Sequence, residues 1–238
     1  MKPWSLEATK NAVSARFGDS QAERLWDSLQ SIHKRKYIAG YHFHEYKRLI
    51  SEKLDPKLAV KHPLELMFAP DDDERQSIHT LRLQVVAHVL ACMQSMHALG
   101  DTLAFAIAYS LGFNQGDNGL QDSKIGIDSV LQRLESDVLC HEIHRALRGI
   151  HTNSEFIYLA DIVNHSKHRS VIAVDFHFDA TGEASALYEL RVPAFSFKSR
   201  RYQQRDVASL LEPLYAWLSP EIVQCGHALN TTLGASQA

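Results

Sequence analysis

The sequence predicts a predominantly helical α+β protein, with a helical bundle followed by a β-hairpin or small antiparallel sheet and then by C-terminal helices. Apolar residues recur every three or four positions over most of the chain. Alternation of apolar and polar residues takes over near residue 172, and the helical spacing returns after residue 206. We therefore expect a bundle domain at residues 1–169. Residues 170–238 should pack on it, so that both form one compact unit.

Local signals define the first helices of the bundle. We expect one helix over residues 5–17 and a second over 19–54, within which Gly40 causes an interruption or kink. Asp55 and Pro56 should end this second helix, because the residue before proline disfavours helical geometry. A connection with about one helical turn is expected next.

The longest helix is predicted over residues 71–113. Its acidic start opposes the helix dipole, and it is apolar on several faces, which suits the centre of a bundle. A segment rich in Gly, Asp and Asn at 115–123 predicts a disordered insertion, and a further helix should cover 127–150. Thr152 is the expected N-cap of the helix after that, within a capping-box pattern.

Period-two alternation predicts the sheet. Residues 172–178 should form a half-buried strand, 179–183 a turn and 188–192 the returning strand of a hairpin. A third short strand is expected at 195–197. Two C-terminal helices should begin at Asp206 and at Ser219, where a proline follows the N-cap.

Composition limits the possible functions only slightly. The 238-residue chain is 45% hydrophobic with a net charge of −3, so any attraction for nucleic acid must come from a local patch. Its three widely spaced cysteines indicate reduced thiols in a core. No apolar run reaches the roughly 18 residues of a membrane span, so we expect a soluble cytoplasmic protein without membrane contact. Glycine-rich phosphate loops and dinucleotide fingerprints are missing, and no cofactor is predicted.

The densest group of polar side chains lies at the end of the helix before the sheet. Asn164, Lys167 and His168 share one helix face, while His165 and Arg169 share the next. An amide, a cation and an imidazole could together bind a phosphate and transfer a proton. Cations also complement the negative end of any helix, by about 0.3–1 kcal/mol each. Both interpretations remain open.

A second polar pair lies in the most apolar helix. His97 and Asp101 are one turn apart, so the carboxylate could hold one imidazole nitrogen and fix its tautomer. The pair is a candidate extension of the catalytic group, and a buried structural pair is the alternative.

Asn164 and His168 give the chain a family resemblance. Their spacing resembles the Arg-Asn-x-x-x-His signature of HEPN (higher eukaryotes and prokaryotes nucleotide-binding) domains, although Val163 stands where the family has its catalytic arginine. The resemblance implies a metal-independent ribonuclease of a toxin or phage-defence type. His168 would act on the ribose 2′-hydroxyl or the leaving oxygen, Lys167 or Arg169 would stabilise the phosphorane, and Asn164 would orient the phosphate.

The resemblance covers the helical region 71–169 and implies a homodimer, because related domains often build their cleft across two copies. A looser family pattern, an arginine followed by a histidine after four to six residues, is also met by Arg82 with His88 and by Arg145 with His151.

A non-catalytic RNA- or protein-binding module is the first alternative. Residues 198–205 collect cations around one aromatic ring, which could hold phosphates and stack a base. The candidate RNA-binding residues are Lys198, Arg200, Arg201, Tyr202 and Arg205. The same segment could also be a solvated loop.

A metal-binding bundle is the second alternative. His42 with Glu45, and His141 with His144, each lie three residues apart on a helix, and two such pairs on neighbouring helices can hold a metal. Exposed polar faces explain the same spacing.

Overall fold

The computed structural model describes residues 2–172, 174–178 and 188–234. It confirms the predominantly helical α+β class, because helices dominate and the strands form small antiparallel sheets. The α-helices are α1 (Leu6–Phe17), α2 (Asp19–Leu49), α3 (Asp55–Leu58), α4 (Pro63–Met67), α5 (Asp72–Ser110), α6 (Ile127–Glu135), α7 (His141–Thr152), α8 (Ser154–His168) and α9 (Val207–Thr232). The strands are β1 (Asp175–Phe178), β2 (Tyr188–Val192), β3 (Phe195–Phe197), β4 (Arg200–Tyr202) and β5 (Arg205–Asp206).

The chain packs as two compact units that interleave along the sequence. Unit 1 comprises Met1–Tyr37, Ser95–Ile157 and Leu214–Ala238, and unit 2 comprises Ile38–Gln94 and Tyr158–Pro213. The predicted domain boundary after residue 169 stays a prediction.

In unit 1, residues preceding and beginning α1 pack against the second half of α9. The Trp4 ring lies against Gly226, so tightly that a Cβ at that position would overlap the indole. The Trp4 Nε1 donates to Thr9 Oγ1 at 2.9 Å, and the Thr9 hydroxyl donates to Asn230 Oδ1 at 2.5 Å. Because Thr9 and Asn230 are fully buried, these bonds satisfy polar groups that have no access to water.

In unit 2, two small antiparallel sheets accompany the helices. Strand order is β1-β2-β5 in one sheet, with Phe176 opposite Leu190, and β3 pairs with β4 in the other. Strands β2 and β3 have the predicted bounds, whereas β1 begins at Asp175, later than the predicted start at residue 172. The predicted turn at 179–183 lies outside the described residues.

The predicted interruption at Gly40 is wrong, and the alternative of a kink stays a prediction. Helix α2 runs unbroken from Asp19 to Leu49, and Gly40 is buried within it. The predicted stop at Asp55 and Pro56 is also wrong, since a π-helical segment, Ile50–Leu54, leads directly into α3. Proline is tolerated there because the first turn of a helix needs no amide donor from it.

The predicted helix 127–150 is divided in two. Helix α6 ends at Glu135, and a 3₁₀ turn precedes α7, where the Asp137 side chain accepts from the Leu139 amide. Thr152 belongs to α7, and the N-cap of α8 is instead Asn153, whose Oδ1 accepts from two amides of the first turn.

Over residues 207–232 the chain forms one helix where the pattern predicted two. Asp206 caps it through the Ser209 amide, and α9 then passes through Ser219 and Pro220 without a break.

The segment 115–123, predicted as a disordered insertion, is hydrogen-bonded to its neighbours. The Leu120 amide donates to the Phe113 carbonyl, and the Asn118 carbonyl accepts from the Arg133 guanidinium.

Candidate nucleic-acid interface

The last turns of α8 carry the predicted phosphate-facing residues at the surface of unit 2. Lys167 and His168 are exposed, and Asn164 is half-buried. Within the described chain, these three side chains make no hydrogen bond or ion pair. Helical spacing keeps them on one face, where they are available to a ligand, and no group in the described part of the chain fixes their orientation.

His165 has a structural position at the end of the same helix. Its Nδ1 lies 3.1 Å from the Ser170 carbonyl oxygen, and its ring meets the edges of Phe195 and Phe197 at centroid distances of 6.0 and 6.4 Å. The ring therefore connects the end of α8 to strand β3.

Asp161, which the sequence patterns did not single out, ties the β3–β4 hairpin to α8. Its carboxylate is almost fully buried and accepts from Arg200 Nε at 2.6 Å and Nη2 at 2.7 Å. The Tyr202 hydroxyl donates to the same carboxylate at 2.6 Å. Burial, with Asp161 adjacent, raises the pKa of Tyr202 to about 12, and the hydrogen bond to Asp161 raises the pKa of Arg200.

An aromatic cluster surrounds this network. The Tyr202 ring stacks on Phe195 with centroids 4.8 Å apart and meets the edge of Tyr158 at 4.9 Å. The Arg205 guanidinium lies over the Tyr158 ring, 5.5 Å from its centre. Two predicted RNA-binding residues, Arg200 and Tyr202, thus make contacts within the protein that hold the hairpin in place.

Two other cations of this region lie beside Phe197. Arg169, just past α8, and Lys198, in the β3–β4 turn, lie 5.5 and 5.6 Å from the centre of its ring. Lys198 adopts φ of 52°, a left-handed conformation that makes the tight turn. Arg201 is exposed on β4. We call the surface formed by Arg169 and Lys198 the α8–hairpin surface.

Val163, which stands where the HEPN signature has an arginine, is 2% exposed. The backbone of α8 therefore directs this position into the core, where an arginine would have to be buried. The alternative arginine and histidine pairs are engaged elsewhere: Arg82 pairs with Asp175, and His88 contacts His42. Arg145 pairs with Glu142, and His151 with Asp128.

His97 and Asp101 differ in environment. His97 is buried and stacks on Phe156 at a centroid distance of 6.4 Å, whereas Asp101 is exposed. Both belong to unit 1, and the residues of the α8–hairpin surface belong to unit 2.

The predicted metal pairs lie in different units. His42 has its Nδ1 2.8 Å from His88 Nδ1, and burial together with the neighbouring imidazole lowers the pKa of His42. Glu45 accepts from Arg48, and His141 and His144 line a cavity of about 440 Å³. Across the residues that the structure describes, no three His, Cys, Asp or Glu side chains are grouped to hold a metal ion.

Comparison with protein-family models, curated proteins and solved structures finds no match to this chain. Among the described helices, none combines the length and apolar character needed to cross a membrane. The fold thus defines the protein as a predominantly helical α+β protein.

Proposed function

We propose that this protein is an HEPN-like, RNA-directed domain that binds RNA through the α8–hairpin surface. The observation that carries the proposal is the approach of Arg169 and Lys198 to one ring, Phe197, from two different elements. Two cations placed this close together can contact neighbouring phosphates of one strand, and phosphate contacts supply most of the affinity for RNA without sequence preference.

The anchoring of the hairpin supports binding by a preformed surface. Asp161 holds Arg200 and Tyr202 by three hydrogen bonds, so the turn that carries Lys198 is positioned before any ligand arrives. A rigid surface loses less conformational entropy on association than a flexible loop would.

Fluorescence anisotropy with a labelled single-stranded RNA tests this proposal. The double variant Arg169→Ala/Lys198→Ala should bind the RNA more weakly than the wild type. The slope of log affinity against log salt concentration should also become less negative by about 0.7 for each lost phosphate contact. The matched control is Arg35→Ala/Lys36→Ala, which removes the same charge from exposed positions on α2. Equal losses in both double variants, or no binding by the wild type at low salt, would contradict the proposal.

Metal-independent RNA cleavage is the second candidate function, because His168 and Lys167 are exposed on one helix face with Asn164. His168 would transfer the proton, and Lys167 or Arg169 would neutralise charge on the phosphoryl oxygens. The absence of an arginine at Val163 favours the binding function over this one.

Cleavage is measured with EDTA present. His168→Ala should lower the rate by about 10²-fold or more, the contribution typical of general acid–base catalysis. His79→Ala, an exposed histidine on α5, is the control and should cleave like the wild type. A substrate with a 2′-deoxy sugar at the cleaved position should remain intact. Wild-type rates in His168→Ala would rule out this mechanism.

A further inference from the structure

Unit 2 contains a cavity that no part of the RNA proposal uses. Its volume is about 550 Å³, and its walls come from α2 and the π-helical segment, strand β2, and the start of α9. Ile50, Leu190 and Val207 give it an apolar wall. This volume and this mixture of apolar and polar walls are typical of sites for small organic molecules.

The Tyr46 hydroxyl is the group that points to a ligand. Tyr46 lines the cavity and is only 3% exposed, yet its hydroxyl has no hydrogen-bond partner among the described residues. Leaving a buried hydroxyl unsatisfied is unfavourable, and native proteins rarely do so without a reason. A polar atom of a bound molecule would supply the missing partner.

Carboxylates outnumber cations around this cavity. The described lining includes Asp55, Glu189, Asp206 and Glu212, and Lys47 is its one cation. Lys47 pairs with Glu212 at 2.6 Å, and Arg191, outside the lining, pairs with Glu189 at 2.7 Å, so two carboxylates, Asp55 and Asp206, have no cationic partner among the described residues. The excess of negative charge favours a positively charged ligand and disfavours an anion. Burial, with Glu212, Cys92 and Asp206 nearby, also raises the pKa of Tyr46, so the phenol stays neutral and can accept or donate a hydrogen bond.

The π-helical segment shapes one side of the cavity. Just after the segment Ile50–Leu54, the Asp55 amide donates to the Ile50 carbonyl, five residues back. This longer hydrogen-bonded turn widens the helix. Ile50 and Ser51 from this segment line the cavity, and Asp55 follows it directly. Short π-helical segments cost stability relative to α-helix and occur frequently at functional sites.

We propose that this cavity binds a small organic cation, an amine with an apolar body. The ammonium group lies among Asp206, Glu212 and the Tyr46 hydroxyl, which accepts a hydrogen bond from it. The apolar body packs on Ile50, Leu190 and Val207. This site shares no residue with the α8–hairpin surface and does not depend on the RNA-binding proposal.

Calorimetric titration of the full chain tests the inference with matched probes. Phenethylamine and cadaverine are the cationic probes, and phenylacetate is an anion of nearly the same size and shape as phenethylamine. Phenethylamine or cadaverine should bind saturably and phenylacetate should not. Tyr46→Phe should weaken amine binding about fivefold, as expected for loss of one hydrogen bond worth about 1 kcal/mol. Tyr37→Phe, an exposed tyrosine of α2, is the control and should bind like the wild type.

A stability measurement separates a binding role of Tyr46 from a structural one. Without ligand, Tyr46→Phe should unfold at the same temperature as the wild type or higher, because the hydroxyl that it removes has no hydrogen-bond partner among the described residues. Asp206→Asn, which keeps an oxygen to cap α9, should weaken amine binding as well. The inference is overturned if neither amine binds, if phenylacetate binds equally well, or if Tyr46→Phe binds amines like the wild type.

Discussion

Asp161 lies on α8 with its carboxylate removed from water, and all of its observed partners come from one hairpin. Arg200 donates twice and Tyr202 once, so the charge is compensated at 3% side-chain exposure. Buried charges are tolerated only when they are paired and hydrogen-bonded in this way. This carboxylate makes the polar contacts that hold the hairpin on α8, and the rings of Tyr158 and His165 make the aromatic ones.

Asp161→Asn should destabilise the protein by about 1.5–3 kcal/mol, the range for hydrogen bonds to charged groups. The loss of stability should be smaller than for a fully buried ion pair, because the Arg200 side chain is 49% exposed. Water can partly solvate its guanidinium once the negative charge of Asp161 is removed. Urea unfolding measures the free energy change.

The control for this measurement is Asp128→Asn. Asp128 pairs with His151 but is 90% exposed, so the same substitution should change the free energy of unfolding by less than about 0.5 kcal/mol. Equal effects at the two positions would show that the Asp161 network does not stabilise the hairpin.

Sequence patterns singled out the exposed residues of the candidate site but not the buried residue that holds the hairpin in place. Asn164, Lys167 and His168 form a visible motif, and their helical face followed from spacing alone. Asp161 gave no signal, because a lone aspartate in a helix resembles any polar residue until Arg200 reaches it from 39 positions away. Arg200 and Tyr202 looked like RNA contacts for the same reason.

At the scale of elements, the accurate predictions rest on strong local signals. Helix α1 begins after Ser5, whose side chain accepts from the Ala8 amide, and ends at Gly18 with φ of 88°, as its sequence indicates. Alternation likewise predicted β2 with its observed bounds and predicted β1 with a start three residues too early. The predicted helix interruption at Gly40 and the predicted helix start at Pro220 are wrong. Burial of apolar side chains elsewhere on α2 and α9 outweighs the cost of one residue that is unfavourable in a helix.

Two glycines inside helices should respond oppositely to alanine. Gly149 on α7 is exposed, and a Cβ there would have no atom within 4 Å, so Gly149→Ala should stabilise by about 0.5–1 kcal/mol through the better helix propensity. Gly226→Ala should destabilise strongly, because the Trp4 ring already occupies that space. Thermal unfolding compares the two, and a gain in stability from both substitutions would contradict the packing of Trp4 on α9.

At the scale of the whole molecule, both compact units keep thiols away from solvent. Cys92 lies in unit 2, whereas Cys140 and Cys225 lie in unit 1, and all three are buried. Burial raises the thiol pKa to about 12 for Cys92, about 11 for Cys140 and about 12 for Cys225. The prediction of cysteines in the core is confirmed.

Native protein should therefore resist Ellman's reagent at pH 8, because the thiolate is the reactive form and little of it exists. We expect reaction at least about 100-fold slower than for an introduced exposed cysteine, Ser123→Cys, which supplies the internal standard. All three native thiols should react once guanidinium unfolds the chain. Rapid reaction of a native thiol in folded protein would contradict its burial.

The contact of Trp4 and Thr9 with α9 has a consequence for biosynthesis. Thr9 and Asn230 are 221 positions apart, so a ribosome must release almost all of this chain before α1 meets its partner. Until then the apolar side of α1 stays accessible to chaperones, and long-range contacts of this kind slow the search for the native state. Unit 1 can therefore complete its folding only after α9 has left the ribosome.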